Sequence, residues 1–290
     1  MGVQSRIDFS AVKTAAIYDS HGRKGKNPLT ERAFQDLIID HLVKDDGYIH
    51  RTASASYDPV RAMDVDLLFD FLERTQPEKM ERLHALYNGG SHETILAKIV
   101  SAIGDRGLVD VMWNGVAFDG GIELDLVCPR PSASFDRKAA GLYSENILSV
   151  MDEVYHKEGE RIDLVLFLNG LAIFTFEFKC ESSGTGWDYR DAIKQYKFER
   201  DCKTRLLKPK VGALAHFAMD LHEVWACPAL SGASSKFLPF NKGVRVEGSL
   251  HETRAGNPEC RDGIATSYMW EEILPKDKVF SLIYDFIFYA

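Results

Sequence analysis

The chain has 290 residues, 45% apolar and 27% charged, the make-up of an ordinary folded protein of one large or two modest domains, which excludes a disordered or low-complexity chain. Its 43 acids outweigh 35 bases for a net charge of −8, an awkward balance for a free-standing DNA binder that must neutralise phosphates with Lys and Arg. No run of about 18 apolar residues occurs and Met1 to Ser10 is neither basic nor apolar, so neither a membrane span nor a secretion leader is expected and the cytoplasm is.

After a Gly/Lys-rich opening from His21 to Asn27, Phe34, Leu37, Ile38, His41 and Leu42 recur at helical spacing behind Thr30-Glu31. This predicts an amphipathic helix with Glu31 at the N-terminal end of its core-facing stripe. Further helices are expected near Glu78 to Tyr87 and Glu93 to Ser101, broken at Asn88-Gly89-Gly90. From Gly107 to Pro129 the pattern reads as strands with turns, Leu108 to Trp113 before Asn114-Gly115 and Ile122 to Val127 after Gly120-Gly121. Ile162 to Leu168 and Leu171 to Lys179 flank Asn169-Gly170, the strongest hairpin signal in the chain. Both are apolar on both faces, as buried central strands are. A helix from Asp188 to about Cys202 follows, then strands at Val211 to Met219 and Glu223 to Leu230, a loop-rich stretch from Phe237 to Asp262, and a helix from about Lys278 to Phe288. The five cysteines, Cys128, Cys180, Cys202, Cys227 and Cys260, form no Cys-x-x-Cys pair and are expected as reduced thiols.

Within these apolar strands Asp163 is followed 14 residues later by Glu177 and then Lys179, charged groups that need a reason to be buried. Glu177 and Lys179 alternate with Phe174, Phe176 and Phe178, so both point to one side. Asp163 joins them only in the right hairpin register. A two-residue loop would set it opposite Phe176, on the phenylalanine face; a three-residue loop with Gly170 left-handed, or an equivalent bulge, brings all three polar groups together and is the predicted arrangement. Two carboxylates with a lysine suit phosphodiester hydrolysis, because Mg²⁺ takes hard oxygen ligands and keeps waters, while the lysine offsets charge on the phosphoryl oxygens. The residues alone leave a second reading open, a buried ion pair without catalysis.

The run from Arg161 to Lys179 resembles the nuclease motif of type I restriction enzyme R subunits, a branch of the PD-(D/E)xK superfamily. Thr30 to Phe34 resembles that family's opening helix, Leu108 to Gly115 its pre-nuclease strand, and Asp191 to Tyr196 the helix after the active site. Phe237 to Asn241 and Ala265 to Glu271 resemble the stretch before the motor. The resemblance implies an α/β restriction-endonuclease-like fold, a mixed central sheet flanked by helices, and Mg²⁺-dependent cleavage of double-stranded DNA. It puts Asp163 and Glu177 at the metal positions, Lys179 at the catalytic lysine, Glu31 as a helix-borne acid and Gln195 at a Gln-x₃-Tyr motif, whose tyrosine is here Glu199. Gln195 is thus open to two readings, near the phosphate or solvated. It also implies methyltransferase and specificity subunits as partners, with ATP used only by motor domains. This chain has no Gly-x₄-Gly-Lys-Ser/Thr loop, and Gly22 to Lys26 reads as a basic arm, so the chain is expected to stop before the motor.

The division expected is residues 1–104 mostly helical and lending a helix to the site, 105–235 the nuclease sheet, and 236–290 a segment toward the motor. Lys194 to Lys210 holds seven bases against two acids; Lys194, Lys197, Arg200 and Lys203 are candidates to track a DNA backbone, or else a solvated face. Trp187 is expected to pack, and His216 with Asp220, four apart in a strand, is not expected to hold a metal. The rival to the nuclease is a docking module that joins motor to partner subunits through the acidic surface and needs no metal.

Overall fold

The computed structural model describes residues 29–131, 136–180, 187–245, 253–258 and 263–287. The basic arm, Cys260 and the glycines before Trp187 lie outside them; the other four cysteines are free thiols. Among the described residues no helix is long and apolar enough to cross a membrane.

The fold is mixed α/β. Helices α1 (Glu31–Lys44), α2 (Ala53–Ser56), α3 (Val65–Thr75), α4 (Pro77–Tyr87), α5 (Ser91–Arg106), α6 (Leu108–Asn114), α7 (Arg137–Ser144), α8 (Tyr189–Lys194) and α9 (Lys276–Ser281) surround a main sheet. Its strands are β1 (Ile49–His50), β4 (Leu148–Lys157), β5 (Glu160–Leu168), β6 (Leu171–Phe178), β7 (Ala215–Met219), β8 (Val224–Cys227) and β9 (Leu238–Pro239), side by side in that order. Two small ribbons, β2 (Val116–Phe118) with β3 (Ile122–Leu124) and β10 (Val244–Arg245) with β11 (Thr253–Arg254), stand apart. In the main sheet β1 and β4 run parallel, as do β6 and β7; the remaining pairs are antiparallel. The parallel β6–β7 pair requires a crossover, and residues 179–214 supply it with α8 on one face.

The opening helix forms as its spacing predicts. Phe34, Ile38 and Leu42 are buried, and Thr30 caps the start by accepting a hydrogen bond from the Ala33 amide at 3.1 Å. Two expectations need correction. Leu108 to Asn114 is helix α6, not a strand: Leu108, Val109, Val111 and Met112 are buried at spacings that also make one face of a helix, and so short an apolar run does not distinguish the two periods. Gly107 and Gly115, both at positive φ, bracket it. The helix from Asp188 ends as α before Gln195 and widens into a π turn at Gln195–Glu199, short of Cys202. Several ends also shift: β7 begins at Ala215 rather than Val211, β8 stops at Cys227, and the last helix runs Lys276–Ser281 before a π turn at Leu282–Phe286.

The largest apolar cluster draws residues from Leu29 to Ile283, so all three predicted stretches share it. A second cluster lies on the other face of the sheet around Val165, Phe167, Tyr196 and Leu206. Phe34 joins the chain's beginning, middle and end: its ring packs edge-on against Phe178 at 5.4 Å and Trp270 at 6.0 Å.

Candidate functional site

The β5–β6 turn decides where Asp163 points. Asn169 (φ 50°) and Gly170 (φ 78°) form a two-residue turn with Leu168 paired to Leu171, so the three-residue loop is not what the chain adopts. The compensating bulge is present one residue further on. Leu166 pairs with Phe174 but Phe167 pairs with Ala172, leaving Ile173 extra. Beyond it Leu164 faces Phe176, and the same register sets Asp163 across from Glu177. Positive φ at both turn residues is the conformation Asn-Gly supplies most readily. Asn169 is also held from within: its amide nitrogen donates to the Leu126 carbonyl at 2.9 Å and its oxygen accepts from the Ile147 amide at 2.7 Å.

Asp163, Glu177 and Lys179 are all buried and meet at the C-terminal end of β6. One Asp163 oxygen accepts the Phe178 amide at 2.7 Å. The Lys179 ammonium donates to the Phe178 carbonyl at 2.7 Å and to Glu31 at 3.2 Å. Glu31 belongs to the first turn of α1, 148 positions earlier in the chain, and is the most open of the three acids, with 37% of its side chain exposed. The four residues expected at the centre therefore come together.

Arg200 arrives from a place the sequence reading did not give it. The π turn closes with the Arg200 amide donating to the Gln195 carbonyl at 3.0 Å, a five-residue step that turns Arg200 inward rather than along the surface. Its guanidinium grips both oxygens of Glu177, at 2.7 and 3.1 Å. Arg200 is thus withdrawn from the set offered as a surface for DNA; it compensates a buried carboxylate in the bidentate geometry that arginine's fork favours. Lys194 is exposed and pairs with Asp191 at 2.7 Å, Lys203 is exposed and Lys197 half-buried. Gln195 is half-buried, and its side-chain oxygen is buried with no hydrogen-bond partner among the described residues. Trp187 does not pack as expected. It is 52% exposed, and its ring sits 5.8 Å from the Lys179 ammonium, within reach of a cation–π contact.

His216 lies in β7, fully buried, with its Nδ1 2.8 Å from the Thr175 hydroxyl. Burial pushes its pKa down to about 3, which keeps the ring neutral. Asp220 spends its oxygens on the amides of Tyr189, His222 and Glu223, so the carboxylate serves the loop while the ring packs within the sheet.

The electrostatics favour a further positive charge. Loss of hydration raises Asp163 from 3.8 to about 6, against the lowering pull of the Phe178 amide and Lys179. Burial first, and repulsion from Asp163 second, raise Glu177 well above the usual carboxylate range despite Arg200. Two facing carboxylates that both resist ionisation match the hard-oxygen preference of a divalent cation such as Mg²⁺, so the donor set fits that ion. The family comparison bears on the same strands. Residues 138–233 match the model of the type I restriction enzyme R protein N terminus. That stretch, about a third of the chain, is similar to the N-terminal region of type I restriction enzyme R proteins.

No curated protein matches the chain. The R-protein match spans α7 through β8 and so contains Asp163, Glu177, Lys179, Gln195 and Arg200, while Glu31 lies outside it. One residue of the matched stretch went unnoticed in the sequence. Glu153 stands next to the site on β4 with a left-handed backbone (φ 53°), pairs with Arg161 at 2.6 Å and adds to the negative field on Asp163. One of two adjacent acids, Asp152-Glu153, in a strand gives no signal of this; only the pairing of β4 with β5 brings it near.

Proposed function

We propose that this R-protein region is a Mg²⁺-dependent endonuclease that hydrolyses phosphodiesters of double-stranded DNA, within a complex whose methyltransferase and specificity subunits find the site and whose motor domains use ATP. The observation that carries this reading is the convergence of Asp163, Glu177 and Lys179 at one strand end with Glu31 brought in from a distant helix. Asp163 and Glu177 would hold Mg²⁺, which when bound polarises phosphoryl oxygens and acidifies a water. Lys179, fixed between the Phe178 carbonyl and Glu31, presents a positive charge that offsets the charge gathering on the phosphate. Glu31, the open acid, faces the side from which water and DNA arrive. Arg200 acts through Glu177 as a positioning residue. Lys194, Lys197 and Lys203 offer the neighbouring DNA backbone its positive charge.

A second reading is favoured by the Arg200 fork, since a carboxylate already satisfied by a guanidinium makes a stable internal pair. In that case the region is a docking module that couples the motor to its partner subunits and needs no metal. Calorimetric titration of Mg²⁺ or Mn²⁺ into the wild-type chain, Asp163→Ala and Glu177→Ala separates the two. The nuclease reading expects binding in the wild type that both substitutions abolish. Folded wild type that takes up no ion at millimolar concentration, with or without a DNA duplex, supports the docking module instead.

A further inference from the structure

Glu73, His84 and His92 meet on the side of the molecule formed by α3, α4 and α5, and none of them belongs to the nuclease reading. Glu73 lies near the end of α3, His84 in the last turn of α4 and His92 in the first turn of α5. One ligand atom from each falls within 4.8 Å of the other two. His92 Nε2 stands 3.2 Å from a Glu73 oxygen, and His84 Nε2 stands 3.9 Å from the same oxygen. Three ligands at zinc bond lengths of about 2.0–2.1 Å sit about 3.3 Å apart on a tetrahedron, so side-chain shifts of about 1 Å would bring the three to that spacing.

Three features around the trio point to a ligand. His84 Nδ1 lies 2.7 Å from the hydroxyl of the buried Ser91; with Nδ1–H donating to that hydroxyl, Nε2 is left for a metal, the outer-shell support that metal-binding histidines have. The His92 ring is stacked on Phe69 at 4.1 Å, which holds its orientation. Glu73 also differs from its acidic neighbours. Asp70 pairs with Arg74 and Glu93 with Arg61, whereas among the described residues Glu73 meets no lysine or arginine, only the two imidazoles. An open cleft of about 370 Å³ beside Glu73 and His92 lets water reach the trio.

We propose that Glu73, His84 and His92 form a binding site for a divalent transition metal of the zinc class, with water from the cleft as fourth ligand, which ties α3, α4 and α5 together. Two imidazoles and one carboxylate suit zinc and are a poor match for Mg²⁺, which takes oxygen ligands. The ion of the catalytic reading therefore does not compete for this place. Each helix contributes one ligand, so binding holds the three together and stabilises the fold by mass action.

The test uses the metal-stripped, tag-free chain titrated with Co²⁺, whose visible absorption reports tetrahedral coordination, followed by displacement with Zn²⁺. The expected result is saturation at a single equivalent with the tetrahedral bands, their loss on Zn²⁺ addition, and a melting temperature raised by roughly 2–4 °C at saturating Zn²⁺. His92→Ala and Glu73→Gln, each checked for folding by circular dichroism, should lose the bands and the thermal shift, while Asp163→Ala and Glu177→Ala keep both. Absence of tetrahedral bands in folded wild type, or bands that survive the double substitution of His84 and His92 by alanine, would overturn the proposal. Because Asp163 and Glu177 variants serve as positive controls, failure here is distinguishable from failure of the nuclease reading.

Discussion

Asp163 costs the folded chain stability in its ionised form. A rise from 3.8 to about 6 on folding corresponds to about 3 kcal/mol between the two protonation states. The folded pKa lies above the unfolded one, so the stabilising contribution is complete below pH 3.8 and is lost as pH rises through about 6. Asp163→Asn keeps an oxygen for the Phe178 amide and removes the charge. We expect the metal-free variant to melt above the wild type at pH 7.5, with the gap closing as pH falls toward 4, read from paired thermal scans across that range. A gap that does not change with pH, or a wild type that is the more stable at pH 7.5, would contradict the cause assigned here. On the proposed nuclease reading, a bound cation would relieve the cost of ionising this carboxylate, an exchange of stability for function.

At the scale of elements, the β5–β6 turn governs the site from its far end. A side chain at Gly170 would place its Cβ 2.2 Å from the Asp64 carbonyl oxygen, at a φ of +78° that L residues avoid. Gly170→Ala is therefore expected to cost more than about 3 kcal/mol in urea unfolding, and a loss under about 1 kcal/mol would show that the turn yields easily. Much of this element was legible beforehand. Asn169-Gly170 marked the turn, and the need to keep Asp163 off the phenylalanine face required a shift in pairing, which the structure makes with Ile173 rather than with a longer loop. Leu108 to Asn114 was misread because seven residues are too few to separate helical from strand periodicity. Arg200 was misplaced for a different reason: a π turn adds one residue to the helical step, and nothing in Gln195 to Glu199 announces it. Glu31 was placed well because a long amphipathic stripe fixes which side its first turn faces.

Across the whole molecule, distant segments converge on the strand that carries Glu177. Phe34, from the helix that bears Glu31, lies between Phe178 and Trp270, and the Tyr48 hydroxyl donates to the Leu274 carbonyl at 2.8 Å. Trp270→Ala should therefore cost about 3–5 kcal/mol and loosen the helix that delivers Glu31. Chemical unfolding measures the first, and exchange of the amides from Phe34 to Leu42 with deuterated solvent measures the second. Unchanged protection across that helix would mean that Trp270 packs without supporting α1.

The sheet ends in β1 and β9, each only two residues long, and β9 closes on Pro239. A border so short, finished on one side by a residue that has no amide hydrogen to offer, gives a foreign strand little to pair with. The sheet is thereby protected from pairing with other copies of itself, and the long central strands stay inside where no neighbour reaches them.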